Sequence, residues 1–135
     1  MKKYEILEHR ADLKIRVFGK TKEELFLNAV LAIKDGLRPK IQSTKSKIRN
    51  IKTESSNLET LLVDFLSEVL YLIQVNKEVY NKVRFKKFSD TEIKAELSGQ
   101  KIERFGEDIK AATYHNLDVH QEKNGKWQAT ILFDI

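Results

Sequence analysis

The chain has 135 residues, 41% hydrophobic and 33% charged, which suits one folded domain with a real core and excludes a disordered chain. It has no cysteine, so disulfides, thiolate zinc sites and cysteine nucleophiles are excluded. A net charge of +5, from 25 basic and 20 acidic residues, permits an RNA or nucleotide partner without demanding one. No apolar run approaches the ~20 residues of a membrane span. The opening MKKYEILEHR lacks the apolar segment of a secretory signal, so no membrane partner and a cytoplasmic location are expected.

Tyr4 to Leu7 reads as a short strand. His9-Arg10-Ala11-Asp12 interrupts it and places Asp12 in a turn. Ile15 and Val17 alternate with Lys14 and Arg16 in a second strand ending at Gly19. Thr21 and Glu24 form a capping box for a first helix carrying Leu25, Phe26, Ala29, Val30 and Ile33 at helical spacing. Gly36 suits a left-handed cap at its end, and Pro39 follows as a stop. Residues 40–54 are basic and faintly periodic. They read as an edge strand blunted by Lys45, Lys47 and Arg49.

Ser56 and Glu59 form a second capping box. The helix after it, ending near Asn76, carries a broad apolar stripe from Leu58 to Ile73 and should be the central core element. From Val79 the period changes to two. Val79, Val83 and Phe85 make one strand, and Ile93, Ala95 and Leu97 another, joined by a turn at Phe88-Ser89-Asp90. Gly99 and Gly106 bracket a stretch in which Lys110 either opens a strand or closes a short turn. Thr113, His115, Leu117 and Val119 alternate as a strand, which makes His115 an inward, hydrogen-bonded histidine and leaves His120 on the solvated face. Asn124-Gly125 is the strongest hairpin signal and leads into a final strand through Trp127, Ala129, Ile131 and Phe133. The expected architecture is α+β, a single domain over residues 1–135. It should have one antiparallel or mixed sheet with two helices packed on one face.

There is no phosphate loop, G-x-S-x-G or H-E-x-x-H motif. The alternation of the last strand turns Asp134 away from Phe133 and Ile131, with the main-chain carboxylate of Ile135 beside it. Two anions this close repel, and a hard cation with oxygen ligands would relieve them. Asp12 is a candidate third ligand. On pattern alone an exposed Asp134 and a turn Asp12 explain the same residues.

Four segments in order change that balance. "YEILEHRADLKIRVFGKTKEELFLNAVLAI", "LLVDFLSEVLYLI", "IKAATYHNLDV" and "WQATILFDI" together resemble the archease family over nearly the whole chain. The resemblance implies an α+β sheet with helices on one side. It implies a non-catalytic protein cofactor of the RtcB-type tRNA-splicing RNA ligase, promoting that ligase's guanylylation and turnover and broadening its nucleotide use. It also implies a divalent cation, calcium with magnesium or manganese as alternatives, on Asp12, Asp134 and the carboxylate of Ile135. Lys110, Thr113, Tyr114 and His115 map onto the family's most specific motif and are expected to serve activation or partner contact. GTP and tRNA are expected partners only through the ligase. Arg10 and Lys14 depart from the family pattern and add positive charge near the proposed metal site. Two rival readings use the same residues differently. One is an RNA-binding chaperone working through Lys45, Lys47, Arg49, Arg84, Lys86 and Lys87. The other is a metal-dependent hydrolase using Asp12, Asp134 and His115.

Overall fold

The computed structural model describes residues 2–9 and 11–135, without the side chains of Glu8, His9 and Thr44. Strands β1 (Tyr4–His9) and β2 (Asp12–Gly19) lead into helix α1 (Lys22–Gly36). Strand β3 (Pro39–Glu54) and helix α2 (Leu58–Asn76) follow, then β4 (Glu78–Phe88) and β5 (Glu92–Phe105). Three strands close the chain: β6 (Ala111–Ala112), β7 (Asp118–Gln121) and β8 (Trp127–Asp134).

The fold is α+β, as expected, but its strands divide into two antiparallel sheets where the sequence suggested one. The first runs β1-β2-β8-β6 with β7 also on β8, and the second runs β3-β5-β4. Each helix touches strands of both sheets. The reason lies in the helices. In α1 not only Leu25, Phe26, Ala29, Val30 and Ile33 but also Asn28, Ala32 and Gly36 are buried, so its apolar surface is too wide for one sheet to cover. Asn28 satisfies its burial by donating to Phe18 O at 2.7 Å. The α2 stripe packs as expected, with Leu62, Phe65, Leu66, Val69 and Ile73 fully enclosed.

The helix starts follow capping chemistry. Thr21 Oγ1 accepts from Glu24 N at 3.0 Å, and Glu24 Oε1 accepts from Lys20 N at 3.1 Å. For α2 the cap is Asn57, whose Oδ1 accepts from Thr60 N at 2.9 Å, and not Ser56. Gly36 closes α1 in helical conformation, and the positive φ falls instead on Arg38. A Cβ on Gly36 would come within 3.3 Å of Ile109 Cδ1, so close packing is its role.

β3 is an edge strand of the three-stranded sheet, as its lysines suggested. The hairpin at Asn124-Gly125 is present, but only Gly125 takes a positive φ. Gly125 N donates to Glu122 O and Glu122 N donates to Lys126 O, the pattern of a turn followed by a glycine bulge. The strand expected over Thr113–Val119 is overturned. A turn interrupts it, with Leu117 N donating to Tyr114 O at 3.2 Å and Asn116 at φ 52°. No described helix is long and apolar enough to cross a membrane.

Candidate functional site

β8 lies between β2 on one side and β6 and β7 on the other. Its inward residues Ala129, Ile131 and Phe133 pair with Val17, Ile15 and Leu13 of β2, and all six are buried. The apolar alternation of both strands thereby fixes their register without slack, because a slip of one residue would turn every side chain to the wrong face. At the open end of this pair the register sets Asp12 directly across from Asp134. Both are exposed and both lie on the face turned away from the helices. Asp12 is thus the first residue of β2 rather than a turn residue. Like charges directly opposite on a strand pair are destabilising. Lys14 stands one row further in, opposite Leu132. Arg10 and the side chain of His9 lie outside the described residues.

On the other flank of β8, Ala111 pairs with Asp134, and Lys110 N donates to Asp134 O at 2.8 Å. The structure therefore brings Asp12, Asp134 and Lys110 to one end of three adjacent strands. Ile135 follows half-buried, packed against the core, so the carboxyl end of β8 is anchored. The donors fit a hard divalent cation in kind, since carboxylate oxygens are what calcium, magnesium and manganese take. Asp12 and Asp134 would supply two of them and the carboxylate of Ile135 the third. Among the described residues, no group of three or more His, Cys, Asp or Glu side chains is arranged to hold a metal ion. A site here therefore needs that main-chain oxygen.

The motif after Lys110 divides into two parts. Thr113 is bound into the sheet, its N and Oγ1 each donating to Leu132 O at 3.0 Å. Tyr114 and His115 sit on the turn and are exposed. His115 is not the inward core histidine that alternation suggested, because the turn takes it off the strand. The Tyr114 hydroxyl donates to Asp64 Oδ1 of α2, and this hydrogen bond together with partial burial raises the phenol above its usual range. Ser55 Oγ donates to the second oxygen of the same carboxylate. Sequence reasoning missed Asp64. Its signal was present in LLVDFL, a lone carboxylate inside an apolar helix run. Gln74 Nε2 of the same helix donates to Ile109 O at 3.2 Å. The segment from Ile109 to Tyr114 is thus tied to both α2 and β8. A shallow recess beside it is lined by Ser67, Leu70, Tyr71, Gln74, Lys110 and Ala111. Exposed Tyr71, Val75 and Tyr114 are the large apolar residues of this region.

His120 is on the exposed side of β7, as the pattern suggested, but it is not simply solvated. Its Nδ1 lies 2.8 Å from Asp118 Oδ2 and its Nε2 lies 3.1 Å from Glu122 Oε1. The hydrogen bond to Glu122, followed by that to Asp118, raises the imidazole above its usual 6.5.

Comparison with known proteins gives a consistent result. Residues 4–135 match the model of the Archease protein family (MTH1598/TM1083). The Protein archease of Methanosarcina mazei is 39% identical over 99% of this chain and 97% of its own length. That of Pyrococcus abyssi is 32% identical, with both chains covered in full. Among solved structures, the solution structure of protein 1598 of Methanobacterium thermoautotrophicum superposes with a TM-score of 0.74 at 23% identity, covering all of both chains. The crystal structure of a Thermotoga maritima protein described as an archease and possible chaperone superposes with a TM-score of 0.72 at 22% identity, over 97% of this chain and 96% of that one. At those identities the two structures speak for the fold.

Proposed function

This chain belongs to the archease family, and on that footing we propose that it is an accessory activator of an RtcB-type tRNA-splicing RNA ligase, with no catalytic cycle of its own. The ligase joins a 2′,3′-cyclic phosphate or 3′-phosphate end to a 5′-hydroxyl end after guanylylating a histidine of its own. This chain would promote that guanylylation and the subsequent turnover, and broaden the nucleoside triphosphates accepted. GTP and tRNA meet it through the ligase.

The observation that carries the reading is the placement of Asp12 opposite Asp134 on an exposed sheet face, at the end of a strand fixed by buried partners. In this reading Asp12, Asp134 and the carboxylate of Ile135 hold a divalent cation, calcium foremost, with magnesium or manganese as alternatives. Such an ion supplies charge neutralisation beside a phosphate-bearing partner. Phosphoryl transfer depends mainly on positioning and electrostatics, so a second protein can contribute without owning a nucleophile. Lys110, held next to Asp134 by its backbone hydrogen bond, would meet a phosphate or a ligase carboxylate. Thr113 fixes the start of the turn. Tyr114 and His115 on that turn, and the recess beside Tyr71, would face the ligase.

The test is a guanylylation time course with the cognate ligase, manganese and radiolabelled GTP, run with and without this protein and with Asp134→Ala. A rate increase that the substitution removes supports the reading. The same rate with and without the wild-type chain, using a competent ligase, would sink it.

A further inference from the structure

A second ordered set of charges lies on the other sheet. Alternation along β3, β5 and β4 sends Ile51 and Thr53, Ile93, Ala95 and Leu97, and Val83 and Phe85 toward the helices. The residues between them face outward, and register sets them in rows. Ile48, Ser98 and Lys82 form one row, Asn50, Glu96 and Arg84 the next, and Lys52, Lys94 and Lys87 a third. The register shift between Phe85 and Lys87 brings Lys86 to the same face, where its Nζ lies 2.8 Å from Glu96 Oε1.

The carboxylates of this face hold its cations in place without neutralising them. Glu96 is shared by Lys86 and by Arg84 Nη1, the latter at 3.5 Å. Glu92 is shared by Lys87 and by Lys52 Nζ, the latter at 3.8 Å. Lys52 also reaches Glu54 at 3.1 Å. Among the described residues, Lys82 and Lys94 make no ion pair. Lys52, Lys86 and Lys94 converge with Asn50 on a shallow recess between the strands. Outward residues along one strand repeat every ~6.8 Å, a spacing comparable with that of successive phosphates along a nucleic-acid strand. The rival set named from the sequence is re-sorted. Arg49 does not join this face, because its guanidinium makes two hydrogen bonds to the buried Glu78, at 3.0 and 2.9 Å.

We propose that the outer face of the β3-β5-β4 sheet binds RNA through its phosphodiester backbone, with a phosphate seated among Lys52, Lys86 and Lys94. The chemistry favours RNA over an acidic protein. Protein interfaces take most of their energy from buried aromatic and apolar anchors, and the rows hold none, with Ile48 standing only at one corner. The same lack of exposed aromatics leaves no platform for base stacking. Recognition is therefore of the backbone, independent of sequence and suited to structured RNA such as tRNA. The face belongs to the other sheet from Asp12 and Asp134, so the inference holds for the chain alone and is tested without any ligase.

The experiment titrates fluorescently labelled tRNA with the intact protein between 50 and 200 mM salt. With the recess phosphate and two more along the rows at Lys82, Arg84 and Lys87 neutralised, affinity should fall roughly forty-fold across that range. The triple variant Lys52→Glu/Lys86→Glu/Lys94→Glu should lose at least about ten-fold at low salt and flatten the salt dependence, while Lys123→Gln, exposed on the β7–β8 hairpin of the other sheet, binds as wild type. Because reversing Lys52 and Lys86 also breaks ion pairs, Lys82→Ala/Lys94→Ala provides a second arm that breaks none, and it should weaken binding with an unchanged thermal midpoint. No binding at 50 mM salt, or binding by both variants as tight as wild type, would overturn the proposal. So would displacement of tRNA by poly-glutamate as effective as by unlabelled RNA, or preferential binding to anionic phospholipid vesicles.

Discussion

Asp12 and Asp134 are direct cross-strand partners, exposed on the same face of the β2–β8 pair. Without a cation they repel, so Asp12→Asn should leave the metal-free protein as stable as wild type or more stable by up to ~1 kcal/mol. With calcium the order should reverse. An ion at a hundred times its dissociation constant adds about 2.7 kcal/mol to a chain that binds it only when folded. The calcium-dependent rise in thermal midpoint should vanish in both Asp12→Asn and Asp134→Asn. An undiminished rise in either variant would place the ion elsewhere.

Tyr114 and Asp64 link the turn after Lys110 to α2. Tyr114→Phe should cost about 0.5–1 kcal/mol, since the phenol is largely exposed and Asp64 keeps Ser55. The phenol should titrate above the ordinary 10.0, and Asp64→Asn should bring it back down. The difference in ultraviolet absorbance against pH between wild type and Tyr114→Phe isolates this phenol among the four tyrosines. A phenol titrating at the ordinary value in the wild type would mean that the turn is not held by Asp64 in solution.

Glu78 is enclosed, accepting from Arg49 through both oxygens and from Tyr80 Oη at 3.1 Å. The Arg49 hydrogen bonds hold its carboxyl below the usual range, while burial pushes the Tyr80 phenol up to about 12. Removing one partner of a buried pair typically costs 3–5 kcal/mol. Arg49 keeps some access to solvent, so about 2 kcal/mol is expected for Glu78→Gln by denaturant unfolding. Because the folded-state pKa is depressed, this stabilisation is present above the normal carboxylate range and fades as pH falls through the lowered value. The wild type should therefore lose its advantage over Glu78→Gln in acid. A constant difference from pH 7 to pH 2 would contradict the assignment.

His120 gives the opposite dependence. Its folded-state pKa is raised by Glu122 and Asp118, so its contribution is complete below about 6.5 and fades as pH rises through the folded value above that. The imidazole resonances should titrate above 6.5, and Asp118→Asn/Glu122→Gln should lower that midpoint. No change in the double variant would show that the carboxylates do not hold the ring.

Much of the local structure could be read from the residues, because it depends on neighbours in the chain. The Thr21–Glu24 cap, the α2 stripe and the inward face of β8 each depend on contacts that sequence spacing displays. What spacing leaves open is partnership. Alternation says that Ile93 and Ile131 face a core, but not that they belong to different sheets. The split into two sheets follows from the width of α1's buried surface, which Asn28, Ala32 and Gly36 extend beyond its hydrophobic positions. The Thr113–Val119 alternation was broken by Asn116, a residue type that tolerates positive φ. At the site, Asp134 and Lys110 were visible as residue types. Their union with Asp12 is a matter of register, and Asp64 was hidden because an apolar helix run reads as core.

The strand that carries Asp134 is the middle strand between β2 and β6, and its β2 partners lie more than a hundred residues earlier. During synthesis the three-stranded β3-β5-β4 sheet can close first, since all its strands precede β6. β1 and β2 must meanwhile wait with one long side unpaired until β8 has emerged. Pairings of such separation form slowly and leave strand edges open in the interim. The Asp12–Asp134 pair is therefore among the last parts of the molecule to exist, and a nascent chain short of β8 already carries the outer face of the β3-β5-β4 sheet but not yet that pair.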